Sequence, residues 1–115
     1  MMNSERRIYP RLHVNIPAEV ETLSGVSADV NLINISMSGM MIEGDTQLLE
    51  LKAPVEGTPL ELSLHFGLGS ESLHCRCRVV YIQRQSQSCV RYGLCLLSID
   101  QQSADCMQAY IDANL

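Results

Sequence analysis

Apolar and polar residues alternate along most of this chain. Leu12, Val14, Ile16, Ala18 and Val20 are each separated by one residue, with His13, Asn15, Pro17, Glu19 and Glu21 between or just beyond them. That is the period of a strand with one buried face. Pro17 has no N–H to give to a ladder, so it predicts an edge or a bulge. Leu23-Ser24-Gly25 supplies a turn. A second strand is read from about Val26 to Ser36, and Met37-Ser38-Gly39 turns it into a third at Met40-Met41-Ile42. After Pro59, Leu60, Leu62, Leu64 and Phe66 alternate with Glu61, Ser63 and His65. From Leu73 to Ile82 the same period puts Leu73, Cys75, Cys77, Val79 and Tyr81 on one face, and His74, Arg76, Arg78, Val80 and Ile82 on the other. Gln83 to Ser88 is a polar hairpin connection, and Cys89 to Leu97 returns as the last strand.

Two stretches break the pattern. Glu43 to Thr58 holds two glycines, Pro54 and the apolar Leu48-Leu49-Glu50-Leu51, which predicts a long loop tucking either a helical turn or a short strand against the core. Near the end, Asp100 is placed to cap a helix over 101–114, where Cys106, Met107, Tyr110 and Ile111 recur at helical spacing. One amphipathic helix after six strands must lie on the sheet or cover an open barrel end. The expected fold class is mainly β, antiparallel, with a C-terminal helix.

With 115 residues, the chain has the length of a single domain. No apolar run approaches the roughly 20 residues of a membrane span, and the first residues lead into arginines without an apolar leader, so a cytoplasmic protein is expected. Five cysteines, an odd number without framework spacing, are expected to be thiols. Cys75 and Cys77 share a strand face and suggest a metal site with His65 or His74. Their alternation with Leu73 and Val79 fits core packing better, and no metal is expected. No nucleophile elbow, phosphate loop or paired zinc-ligand motif accompanies the histidines, so the chain reads as a receptor and not an enzyme. A net charge of −5 opposes general nucleic-acid binding but leaves room for a small anion at one local basic cluster.

Such a cluster exists. Arg6-Arg7-Ile8-Tyr9-Pro10-Arg11 gathers three of the eight basic residues, and Pro10 keeps the last on an extended or turning segment. Residues 1–11 therefore read as a flexible arginine-rich arm ahead of a domain over 12–115. Seven of the eight basic residues are arginine, a bias toward forked, planar recognition. Further on, strand alternation sets Asn34 and Ser36 on one face, an amide and a hydroxyl pointing the same way, before a turn at Gly39.

Arg7 and Arg11 as RxxxR, with Asn34, Ser36 and Gly39 as [D/N]xSxxG, resemble the two signature motifs of the PilZ domain, the bacterial receptor module for cyclic di-GMP. Arg78-Val79-Val80-Tyr81 and Arg91-Tyr92-Gly93-Leu94 extend the likeness over nearly the whole chain. The resemblance implies a six-stranded antiparallel barrel with a C-terminal helix. It also implies a cyclic di-GMP site made by Arg6, Arg7, Arg11, Asn34, Ser36 and Gly39, with Tyr81 as a further contact where the family often has tryptophan. Arginine at position 6 resembles members that hold a stacked pair of ligands. The chemistry agrees, because a guanidinium can fork onto phosphate oxygens or onto the O6 and N7 edge of guanine. An arm that orders over its ligand would present a changed surface to a protein effector.

Two other readings compete. A PilZ fold without nucleotide binding would serve only as an adaptor. A small barrel binding single-stranded nucleic acid would need more aromatics and a less negative surface.

Overall fold

In the computed structural model, which describes residues 10–115, six antiparallel strands close into a barrel in the order β1-β2-β3-β6-β5-β4. The strands are β1 (Leu12–Thr22), β2 (Ser27–Ile35), β3 (Gly39–Gly44), β4 (Glu61–Leu68), β5 (Glu71–Arg84) and β6 (Val90–Ile99). A helix, α1 (Gln101–Asn114), comes directly after β6. Residues 1–9, which include Arg6 and Arg7, lie outside the described residues.

Closure comes from the period-two pattern: Val20, Val30, Leu32, Ile35, Ile42, Leu62, Leu64, Cys77, Val90 and Leu94 all belong to one buried interior. Cys75 and Cys77 are inside, with sulfurs 3.7 Å apart. The contact with Cys75, reinforced by burial, holds the Cys77 thiol protonated well above its ordinary range. His65 and His74 stand opposite one another on β4 and β5, both exposed and stacked with ring centroids 4.4 Å apart. Thiols and imidazoles therefore occupy opposite faces of the same wall.

Pro17 sits just before β1 gains its second neighbour, since pairing with β4 covers only Ala18 to Thr22. Its missing N–H is thereby excused. The stretch after β3 forms a 3-10 turn, Thr46–Glu50, whose N-cap Asp45 accepts from the Gln47 N–H at 2.8 Å. That turn buries Leu48 against one barrel end, where the buried Tyr92 hydroxyl donates to the Leu48 carbonyl at 2.8 Å. At the other end α1 packs on β4 and β5 and buries Met107 and Ile111. Asp100 caps it by accepting from the Ser103 N–H at 2.7 Å. Among the described residues, no helix is long and apolar enough to cross a membrane.

The register shifts in several places, between His13 and Ile16 on β1, Leu32 and Asn34 on β2, and twice between β5 and β6, and one of these re-aims Tyr81. Val79 pairs with Leu94 and Tyr81 with Gly93, so Val80 is an extra residue that nothing on β6 opposes. This bulge reverses the facing of the residues beyond it. Tyr81 does not continue the inner row of Leu73, Cys75, Cys77 and Val79; it lies on the outer wall, and β5 runs on to Arg84 beyond the expected end at Ile82.

Candidate functional site

The start of β1 and the end of β2 are neighbours. Leu12 stands opposite Ile35 and His13 opposite Asn34, so the exposed Arg11, one residue earlier, begins beside the turn at the end of β2. Ile35 is buried in the barrel, and the extra residue between Leu32 and Asn34, Ile33, turns Asn34 to the outer wall opposite Met41. Asn34 is nevertheless only 8% exposed, and its Oδ1 has no hydrogen-bond partner among the described residues. A buried amide oxygen left unpaired is costly, and such atoms in native proteins call for a reason.

Ser36 behaves differently from the expectation that it would present its hydroxyl beside Asn34. The residue is fully buried just past the strand. Its Oγ donates to the Gly39 carbonyl at 3.0 Å and accepts from the Gly39 N–H at 3.2 Å and the Ser38 N–H at 3.3 Å. With the bond of 2.9 Å from the Ser36 N–H to the Gly39 carbonyl, the hydroxyl ties the turn to itself. Gly39 is needed for space, since a β-carbon there would overlap the Leu94 carbonyl oxygen of β6. Asn34 is thus held at the rim of a turn that Ser36 and Gly39 make rigid.

Cross-strand partners extend the site around the wall. Asn34 faces Met41 on β3, Met41 faces Gly93 on β6, and Gly93 faces Tyr81 on β5. His13, Asn34, Met41, Gly93 and Tyr81 form one continuous row. At about 4.8 Å per strand, Asn34 and Tyr81 stand roughly 14 Å apart along it. The Tyr81 ring, 46% exposed, lies over Gly93, where a β-carbon would collide with it. Sequence periodicity alone misses this row because Val80 shifts the frame. Its traces in the sequence are Asn34 and, two residues after Arg11, His13, each polar at an outward step.

The remaining arginines divide. Arg76 pairs with Glu61 at 2.8 Å and Arg91 with Glu43 at 2.9 Å. Arg78 is exposed and makes no ion pair among the described residues.

The sequence profile described as PilZ domain matches residues 5–113. No curated protein matches the chain significantly. Among solved structures, the PilZ domain of YcgR from Escherichia coli, determined with c-di-GMP, is 14% identical, with a TM-score of 0.69 over 95% of this chain and 91% of that one. The PilZ domain of CeSA from a cellulose-synthesizing bacterium is 18% identical, with a TM-score of 0.57 over 84% of this chain and 88% of that one. The Bacillus subtilis inhibitor of motility MotI/DgrA is 17% identical, with a TM-score of 0.66; the match covers 91% of this chain but 49% of that longer one. The closed six-stranded barrel, its capping helix and a profile match that runs almost from end to end place this chain in the PilZ domain family.

Proposed function

We propose that the protein is a receptor for cyclic di-GMP that signals to a protein effector through its N-terminal arm. The observation that carries the reading is the register of β1 on β2, with His13 opposite Asn34 and Arg11 beside the Ser36 turn. Arg11, the last residue of the first motif, then starts beside the turn that carries the second. Arg7 comes four positions before Arg11, a span of at most about 14 Å, so Arg7 stays within reach of the row from Asn34 to Tyr81. Arg6, Arg7 and Arg11 supply guanidinium forks for phosphate and for the guanine edge. The unpaired Asn34 Oδ1 is an acceptor suited to a guanine N–H. Ser36 and Gly39 hold the turn that presents it. Tyr81 offers a ring face on which a base can stack.

The test is calorimetric titration with cyclic di-GMP. A stoichiometry of two ligands per chain fits the stacked pair suggested by Arg6. Arg7→Ala and Asn34→Ala should each weaken binding at least about tenfold, the effect of losing a charge-assisted or desolvated hydrogen bond. Absence of binding by the wild type would overturn the reading, and would favour a nucleotide-independent adaptor instead.

A further inference from the structure

The far half of β5 projects past the barrel wall. Pairing with β4 ends at Glu61 and Arg78, and the last backbone bond on that side runs from the Val79 N–H to the Leu60 carbonyl at 2.9 Å. From Val80 to Arg84 only β6 accompanies the strand, so among the described residues its other edge carries no backbone partner. Natural edges of this kind are usually blunted by charged residues, proline, shortness or a bulge; here a bulge stands at Val80 and Arg84 ends the strand, leaving an apolar stretch between. This one carries Val80 and Ile82, 51% and 56% exposed. Beside it opens a groove of about 840 Å³, lined by Leu49, Pro54, Leu60, Ile82 and Tyr92 among others. Five free residues of strand, roughly 17 Å, therefore project here, and Ile82 among them lines the apolar trough.

Charge identifies the occupant. Lys52 lines the groove, and Arg78 and Arg84 flank the open edge; none of them pairs with a carboxylate among the described residues. Glu56 is the one acidic residue in the lining. This is a cationic rim on a chain whose net charge is −5. A second copy of the chain would bring the same cations to the same rim, and like charges across paired strands repel. An acidic partner is complementary.

We propose that the β5 edge from Val80 to Arg84 binds an extended segment of a partner protein that carries apolar residues together with aspartate or glutamate. The segment adds to β5 as a further strand: its main chain takes up the free edge, its groove-facing side chains set apolar groups by Ile82 and a carboxylate by Lys52 and Arg84, and a carboxylate on its other face meets Arg78. Docking at this edge depends on its free backbone and its charges and does not require the nucleotide reading.

The test selects binders from a random short-peptide library on the full chain, without nucleotide, counter-selecting on Ile82→Asp. Selected peptides are then mapped on the 15N-labelled chain by amide chemical shifts. The expected binders combine apolar and acidic residues, move the amides of Val80 to Arg84, and lose roughly tenfold or more in affinity on Lys52→Glu/Arg84→Glu or in high salt. Val80→Asp, at an equally exposed site, serves as a second variant should Ile82→Asp melt early. Failure to enrich over both variants, binders that are basic, or shifts confined to other amides would overturn the proposal. A concentration-dependent dimer in sedimentation that Ile82→Asp abolishes would do so as well, by giving the edge to a second copy.

Discussion

The Tyr81 ring covers Gly93 so closely that the glycine hydrogen occupies space no methyl group could share. Gly39 is crowded too, but by the Leu94 carbonyl, a backbone atom that cannot swing away. The two glycines should therefore respond differently to alanine. Gly39→Ala forces β3 off β6 and is expected to cost about 1–3 kcal/mol, the range for overpacking. Gly93→Ala needs only the half-exposed ring to rotate outward, and should cost under about 1 kcal/mol while lowering any base stacking at Tyr81. Urea denaturation of both variants measures the contrast; equal losses would contradict the swinging-ring account.

Asn34 and Ser36, though neighbours in one motif, should separate stability from binding. Removing an amide whose oxygen is buried and unpaired takes away a desolvation penalty. Asn34→Ala is expected to leave the melting temperature unchanged or raised while cyclic di-GMP affinity falls. Ser36→Ala strands the groups its hydroxyl serves, at a cost of about 1–3 kcal/mol, and should lower stability and affinity together. Thermal melts paired with titrations on the same samples decide it, and a destabilised Asn34→Ala would count against the first half.

Acid sensitivity should arise in part at the helix cap. The Ser103 N–H holds the Asp100 carboxyl below its ordinary 3.8, helped by the Ser103 hydroxyl and opposed by partial desolvation. A depressed folded value means that the cap's contribution is complete above 3.8 and disappears as the pH falls through the lower folded value. Asp100→Asn keeps a capping oxygen without titrating. Wild type and variant should hold a constant difference in melting temperature above about pH 5, and the wild type should lose ground below it. Parallel behaviour down to about pH 2 would remove the carboxylate from the account.

Tyr92→Phe probes the opposite barrel end. Its hydroxyl serves the Leu48 carbonyl, and both residues are buried. Loss of the bond leaves that carbonyl with the Leu51 N–H alone, at 3.2 Å, which should cost about 0.5–1.5 kcal/mol. Hydrogen exchange should quicken most over the 3-10 turn from Thr46 to Glu50, while protection of the β4–β5 ladder persists.

Much of the fold is legible in the sequence because a barrel with one buried face prints its period directly onto the chain. Leu60 to Phe66 carries a polar residue at every outward step and Leu12 to Val20 at every one but Pro17, and the helix announces itself through Asp100 and the spacing of Met107 and Ile111. Where the print fades, local geometry is hidden. Val79, Val80, Tyr81 and Ile82 are all strand formers with no charged marker among them, so the extra residue at Val80 leaves no trace in the pattern. The motif residues Asn34, Ser36 and Gly39 are visible as types, but their tasks are not. Whether a serine hydroxyl faces a ligand or curls back on its own turn depends on backbone angles past the strand end, which alternation does not govern. Asp45 as a cap, and hence the 3-10 turn, is likewise lost in a stretch rich in breakers.

Because Val80 has no counterpart on β6, it is a position at which β5 can be shortened by one without turning any neighbour over. Its deletion would leave Tyr81 against Gly93 in an ordinary ladder and relax the added twist, so the aromatic platform would survive while the projecting arm straightened. Loss of a single residue from Leu73 to Cys75, by contrast, would trade inside for outside along that whole segment. Evolution can therefore re-aim the arm and keep the platform in one indel, which uncouples the reach of the hairpin from the chemistry on its outer face.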